Sequence, residues 1–291
     1  MTHPAFETVP ARDGFPLATR VFAADPGKSP ATVAVVASAM GVKQDFYAPF
    51  AAWLASEGVP TLTFDYRGMG ASRPEGLGLD GFSATIEDWA TLDCAAILDH
   101  VAERYPGARV VWLGHSVGAQ ILGLIPNRER VHAMLSIAAG SGYWRYNAKP
   151  LRYYVLSMWL FIMPVAVRMA GYFPGRKLKM VGDLPRGVAE QWRKWCLSAD
   201  YLGAEGDRVR PGLADVSIPI TALSMQDDEM MTLRGTQALF GLYPNAQVEV
   251  RRLRPRELGL RGIGHFGFFR SSMKEPLWPM VTEWIEAHAR A

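Results

Sequence analysis

Three short runs of this chain carry the side chains able to do nucleophilic chemistry. Gly114-His115-Ser116-Val117-Gly118 fits Gly-x-Ser-x-Gly. Ser224-Met225-Gln226-Asp227-Asp228-Glu229 supplies carboxylates, and Gly262-Ile263-Gly264-His265-Phe266-Gly267 supplies a histidine between glycines. A serine hydroxyl is a weak nucleophile at neutral pH; it needs a base within hydrogen-bond reach and a carboxylate to orient that base. Ser116 is therefore the candidate nucleophile, His265 the candidate base, and Asp227 or Asp228 the candidate acid. Adjacent side chains in a loop diverge, so only one aspartate can face the histidine. The other is expected to cap the following helix, where a carboxylate is favoured. His115, beside the serine on a sharp turn, is read as structural. His3, His100, His132 and His288 have no partner pattern, nothing resembles His-Glu-x-x-His, and no metal or cofactor is implied.

The elements around these runs must bring them together. Phe6–Pro10 and Leu17–Phe22 flank Asp13-Gly14, a hairpin signal, and Asp25-Pro26-Gly27 turns the chain into Ala31–Ala37, apolar without alternation as in a strand covered on both faces. A helix is expected over Phe46–Glu57, a strand over Val59–Phe64, and a helix over Thr85–Val101. Thr85 and Asp88 suit a capping box there, with Ile86, Trp89, Ala90, Ile97 and Val101 on one face. Strand Arg109–Leu113 then runs directly into the serine motif, and helical residues Val117–Ile125 follow it. Ser116 thus lies where a strand becomes a helix, the setting a tight, strained serine turn requires. With strand Val131–Ala138 the alternation implies an α/β fold with a parallel sheet and right-handed crossovers. On such a sheet, reacting groups come from loops at the strands' C-terminal ends, where both later runs fall: after strand Ile218–Leu223 and after strand Gln247–Leu253. Helices Thr232–Leu242 and Leu277–His288 complete the chain.

The alternation is interrupted from Gly140 to about Leu213, where Trp144, Trp159, Trp192 and Trp195 stand among Tyr, Met and Leu. This reads as a helical insertion. Within it, residues 151–173 invite a membrane-helix reading, but the unbroken apolar stretch Met158–Val167 is short, contains Pro164, and has Arg152 and Arg168 near its ends. A pair of buried helices is favoured, with a monotopic lid touching lipid between the two readings. Arg251, Arg252, Arg254, Arg256 and Arg261 form a basic run, read as solvated surface rather than a steering patch for an anionic substrate.

Composition narrows the classes. The 291 residues are 49% hydrophobic and carry a net charge of +3, enough for a large core and too little charge for a nucleic-acid binder. Cys94 and Cys196 belong to no Cys-x-x-Cys pair and read as buried, reduced thiols. The N-terminal run Met1–Glu7 has neither a basic region nor an apolar region of signal-peptide type, so a cytoplasmic location is expected.

Taken together, the elbow, the turn Asp65-Tyr66-Arg67-Gly68-Met69-Gly70-Ala71-Ser72 and the glycine-preceded histidine resemble the α/β-hydrolase superfamily, in its serine-aminopeptidase-like and lysophospholipase-like branch. The resemblance covers nearly the whole chain. It implies a mostly parallel eight-stranded sheet flanked by helices, with a helical cap inserted after the sixth strand: residues 1–139 and 214–291 as core, 140–213 as cap. It also implies an oxyanion hole formed by the N–H groups of Met40 and Val117. The family usually has His-Gly where this chain has Ser38-Ala39-Met40-Gly41, and alanine takes φ > 0 less readily than glycine. Pro219 and the pattern Asp-x-x-Met-Thr favour Asp228 over Asp227 by the same comparison. The expected activity is hydrolysis of a carboxylic ester, a small molecule with an apolar acyl or aryl portion. An acyltransferase or a peptidase would use the same triad. A non-catalytic ligand- or lipid-binding protein is the reading from another class.

Overall fold

The computed structural model describes residues 4–24, 30–74 and 76–289. Eight strands form one sheet: β1 (Glu7–Pro10), β2 (Pro16–Phe22), β3 (Thr32–Ala37), β4 (Thr61–Phe64), β5 (Arg109–His115), β6 (Val131–Ile137), β7 (Pro219–Met225) and β8 (Gln247–Leu253). Their spatial order is β1-β2-β4-β3-β5-β6-β7-β8. β2 is antiparallel to both β1 and β4, and all remaining neighbours are parallel. The hairpin expected at Asp13-Gly14 joins β1 to β2, with Gly14 at φ 84°. The turn expected at Asp25-Pro26-Gly27, and His3, lie outside the described residues.

The apolar runs become strands buried on both sides because alternate residues serve two cores. Val33 and Val35 of β3 and Val110 and Trp112 of β5 point into one core, while Ala34, Val36, Val111 and Leu113 point into the other. The first core is closed by Ile86, Trp89, Ile97 and Leu239 from helices on that side. The second is closed by Phe50 and Leu54 of helix Ala48–Ser56 and by Val281 and Trp284 of helix Pro279–Ala289. Each fully buried aliphatic side chain of this kind contributes about 1.5–3 kcal/mol. The Thr85–Asp88 capping box is formed, each residue's side chain accepting from the other's backbone N–H.

Between β6 and β7 no strand occurs among the described residues; the segment is helical, with helices Leu151–Ser157, Met163–Ala170, Arg186–Leu197 and Arg210–Asp215. One expectation here needs correction. Where a pair of buried helices was expected, residues 151–170 form one helical run, with a π-helical turn at Met158–Ile162. Pro164 sits just after that wide turn, in the first turn of Met163–Ala170, where a missing N–H and a fixed φ are tolerated. The run Leu151–Ala170 has 20 residues and a mean hydropathy of 1.5, and by length and composition it could cross a membrane. Nor is it buried all round: 28% of its most apolar stretch lies inside the protein.

Candidate active site

The middle of the sheet presents Ser116. β5 pairs with β3 on one side and β6 on the other, with Gly114 opposite Ala37 and Ser136, so the turn after β5 projects from the sheet's C-terminal edge. Ser116 has φ 52° and ψ −115°, a conformation that costs on the order of 1–3 kcal/mol and persists only where surroundings impose it. They do so through Ser116 N–H, which donates to Ile137 O at 3.0 Å, and Ser116 O, which accepts from Ala119 N–H at 3.1 Å. The flanking glycines are needed for approach. A Cβ at Gly114 would lie 2.5 Å from Ala119 Cα, and one at Gly118 would collide with Ala37 O. Trp112 Nε1 fastens the turn by donating to Gly118 O at 2.8 Å.

Three consecutive carboxylates hold the histidine loop. Asp228 faces His265, with Oδ2 2.9 Å and Oδ1 3.2 Å from Nδ1. Its Oδ1 also accepts from the N–H groups of Met230 and Met231, both at 2.7 Å, so the carboxylate cannot swing away. This assigns Nδ1 as the protonated nitrogen and leaves Nε2 as an acceptor. Asp227 does not cap the next helix as expected. Its Oδ2 accepts from Ile263 and Gly264 N–H at 2.7 and 3.1 Å, and Thr232 caps helix Leu233–Phe240 instead. The strand end leaves three acids facing the neighbouring loop, and two open N–H groups outcompete the helix for Asp227. Glu229 accepts from His265 N–H at 2.9 Å, a role sequence reading missed. Ser116 and His265 line one small chamber without a hydrogen bond between them; in ligand-free sites such bonds are often long.

His115 supports the site from below. Its Nδ1 lies 2.8 Å from Tyr47 Oη, its Nε2 lies 3.0 Å from His265 O, and Tyr47 Oη accepts from Ala39 N–H at 2.8 Å. One proton arrangement satisfies all three: Tyr47 donates to Nδ1 and Nε2–H donates to the carbonyl. Burial, and secondarily His265 nearby, hold the His115 pKa well below its usual value, keeping the ring neutral. Burial likewise keeps the Tyr47 hydroxyl protonated. The chain therefore ties the loop after β3 to the backbone of His265. In that loop the left-handed residue is Gly41, at φ 73°, not Ala39, so alanine at 39 carries no such strain. Met40 and Val117 both line the chamber beside Ser116.

The turn after β4 is scaffolding for the same loop. Asp65 accepts from Gln44 N–H at 2.8 Å and Ala71 N–H at 2.9 Å, and a Cβ at Gly70 would strike its carboxylate. Arg67 Nε donates to buried Asp93 at 2.7 Å, and its fork grips Asp13.

A cavity of about 600 Å³ adjoins the serine chamber. The two share Met40, Val181, Trp192, Met230, Met231 and Phe266. Deeper walls come from the β6–β7 segment, among them Val155, Met158, Trp159 and Phe173. Cys196 also lines it, its thiol pushed well above the usual range by burial and hence not nucleophilic. Among the described residues, no Asp or Glu lines the cavity. Glu190 and Asp200 are paired with Arg186 and Arg210, Glu205 with Lys194, and Asp207 is exposed.

The family model described as serine aminopeptidase, S33, matches residues 28–176, which contain the loop after β3, the Asp65 turn and the elbow. The chain belongs to this family. It is a serine hydrolase of the α/β-hydrolase superfamily. No curated protein matches it. Among solved structures, a soluble variant of monoglyceride lipase from Saccharomyces cerevisiae, in complex with a substrate analog, is 14% identical with a TM-score of 0.71 over 100% of this chain and 97% of that one. A thermophilic esterase from Thermogutta terrifontis is 15% identical, with a TM-score of 0.61 over 97% and 99%. Est1E from Butyrivibrio proteoclasticus, solved with ferulic acid, is 14% identical, with a TM-score of 0.62 over 98% and 100%. At these identities the likeness is one of fold.

The hydrolase brings Ser116, His265, Asp228, Met40 and Val117 to one place and sets Asp227 behind the histidine loop. The arginines Arg251, Arg254, Arg256 and Arg261 are exposed, in keeping with a solvated surface. Besides Glu229, sequence reading missed Tyr47 and Gln120. Gln120 lines the serine chamber and is fixed by Tyr201 Oη at 2.8 Å and Gly140 O at 2.9 Å. Position 120 is four residues after Ser116, one helical turn on, which is the signal that could have found it.

Proposed function

We propose that this hydrolase cleaves a carboxylic ester with an apolar acyl or aryl portion through an acyl-enzyme intermediate. The observation that carries the reading is the mostly apolar cavity that adjoins the Ser116 chamber and shares lining residues with it, because it gives an acyl or aryl group an apolar site beside the nucleophile. His265 Nε2 takes the proton from Ser116 Oγ as Oγ attacks the ester carbonyl. The N–H groups of Met40 and Val117 receive the developing oxyanion. Asp228 stabilises the imidazolium, which gives its proton to the leaving alcohol. His265 then takes a proton from water, hydroxide attacks the acyl carbon, and Ser116 Oγ leaves with the proton from His265. Residues 140–213 act as a cap that selects the substrate, on a core made of 1–139 and 214–291. Peripheral membrane contact through this cap suits an apolar substrate, and a cytoplasmic location is part of the same reading. A peptidase that holds a free amino terminus would place a carboxylate in the cavity, and its lining residues include none.

Turnover of p-nitrophenyl esters of increasing acyl length, with Ser116→Ala in parallel, tests the proposal. Hydrolysis lost in the variant is expected, together with labelling of the wild type by a fluorophosphonate at Ser116. Undiminished turnover in Ser116→Ala would refute it.

A further inference from the structure

We propose that the outward face of the β6–β7 segment is a docking surface for an anionic lipid bilayer, and that docking turns the mouth of the active-site cavity toward lipid. The docking stands on the surface alone. The second clause rests on the ester-hydrolase reading.

The surface is apolar where a monomer's surface would not be. Along the helical run 151–170, Met169 is 82% exposed, Tyr153 68%, Phe161 66% and Val165 55%. A contiguous exposed face of large apolar side chains marks an interaction site. The opposite face of the same run is firmly held. Val155, Met158, Trp159, Met163 and Val167 are buried in the main core, Trp159 packs edge-on to Trp192 at 4.8 Å, and Arg193 bonds Trp159 O. The run cannot leave the protein to cross a bilayer without opening that core. It can lie in the plane of one, with tyrosines at the headgroup level.

Charge selects the occupant. Between Glu129 and Asp183 the chain has no acidic residue, while Arg145, Lys149, Arg152, Arg168, Arg176, Lys177 and Lys179 fall in that stretch. All but Arg152 are exposed. Arg176 pairs with Asp183, and the others make no ion pair among the described residues. A cleft of about 630 Å³ beside the run sets Arg193 near Arg168, next to apolar Met163 and Pro164; Arg186 and Glu190 also line it and neutralise each other. Cations flanking an apolar face fit a negatively charged headgroup layer. A second copy of the chain fits poorly, since a two-fold contact would set these cations against their own copies.

The mouth lies on the same face. Tyr154, Leu178 and Met180 are exposed, and all three also line the cavity that leads to Ser116. A molecule leaving lipid there would pass from one apolar environment to another.

Co-sedimentation of the full chain with vesicles of phosphatidylcholine, with and without phosphatidylglycerol, tests the proposal. Ser116→Ala serves alongside as a hydrolysis-free control. Binding is expected with phosphatidylglycerol, weakening as salt rises. Phe161→Ser with Met169→Ser should abolish it. Arg168→Gln and Lys177→Gln should each weaken it about fivefold, and these three surface variants should turn over soluble p-nitrophenyl acetate as the wild type does. Equal binding to both vesicle types, no binding to either, or binding untouched by Phe161→Ser with Met169→Ser would overturn the proposal. So would a dimer in solution that those two substitutions dissociate. Loss of ester turnover with vesicle binding intact would count against hydrolysis alone.

Discussion

Replacing Tyr47 by Phe tests whether the loop after β3 and His265, the proposed base, are mechanically joined. The substitution removes one oxygen and leaves the ring, which is fully buried and packed edge-on to Phe269 at 4.8 Å. That oxygen accepts from Ala39 N–H and donates to His115 Nδ1, each at 2.8 Å. Both partners are buried, so both are left unsatisfied. Each such group costs about 1–3 kcal/mol, giving a loss of about 2–6 kcal/mol from a total of order 5–15 kcal/mol. The melting temperature should fall by about 5–10 °C. Activity should respond separately, because the Ala39 peptide immediately precedes the N–H proposed to bind the oxyanion. A misplaced donor there acts on the transition state alone, so kcat should fall about tenfold or more with KM little changed. Calorimetric melting and steady-state hydrolysis of p-nitrophenyl acetate measure the two effects. A melting temperature within about a degree of wild type, or a change confined to KM, would refute the coupling.

The remaining expectations concern the acids, the elbow, the cavity and pH. Asp228→Asn should reduce kcat by about 10⁴ by favouring the wrong His265 tautomer, whereas Asp227→Asn should cost far less in kcat and show mainly as lost stability; equal kcat losses would contradict the assignment. Gly118→Ala places a methyl against Ala37 O and should abolish soluble folded protein, so a folded, active variant would count against the close approach. Met158→Trp fills the cavity wall and should shift preference toward shorter acyl chains, read from kcat/KM across an ester series; an unchanged profile would remove Met158 from the acyl site. His115, neutral in the fold because burial lowers its pKa, takes up its proton on unfolding. Its contribution is therefore complete above the unfolded pKa of about 6.5 and is lost as pH falls below it, at up to about 1.4 kcal/mol per pH unit. Urea unfolding at pH 7 and pH 5 should show a shallower acid loss for His115→Gln than for wild type, and identical slopes would refute the sign.

What the sequence made legible was what local chemistry dictates. The doubly buried strands β3 and β5 appear as unbroken apolar runs because both faces need side chains for a core. Ser116 was placed at a strand-to-helix turn because strand and helix signals meet there with glycines on either side. Asp13-Gly14 and the Thr85–Asp88 box are likewise short-range chemistry. The errors came where two local rules competed. Proline usually breaks a helix, yet a wider turn one step earlier lets the run pass through Pro164. Carboxylates usually favour a helix start, yet Asp227 found two unpaired N–H groups on the next loop.

The support of the site was not legible because its partners meet only after the sheet has formed. Tyr47 lies in the 3₁₀ turn before helix Ala48–Ser56, His115 at the end of β5 and His265 on the last loop, so one hydrogen-bonded chain spans most of the sequence. Nothing in the residue types around Tyr47 separates it from any buried aromatic. The same holds for Glu229, which reads as the tail of an acidic run until β7 and β8 pair and bring its carboxylate to His265 N–H. Asp227, Asp228 and Glu229 then divide their labour by direction alone: one takes the loop's amides, one the imidazole, one the histidine's own N–H. Parallel pairing of β7 with β8 is what makes those directions possible, since it delivers both loops to the same edge of the sheet as the elbow. His265 is consequently fixed by its backbone as well as by its ring, and substitution of Glu229 should loosen it without touching the contact between Asp228 and His265 Nδ1.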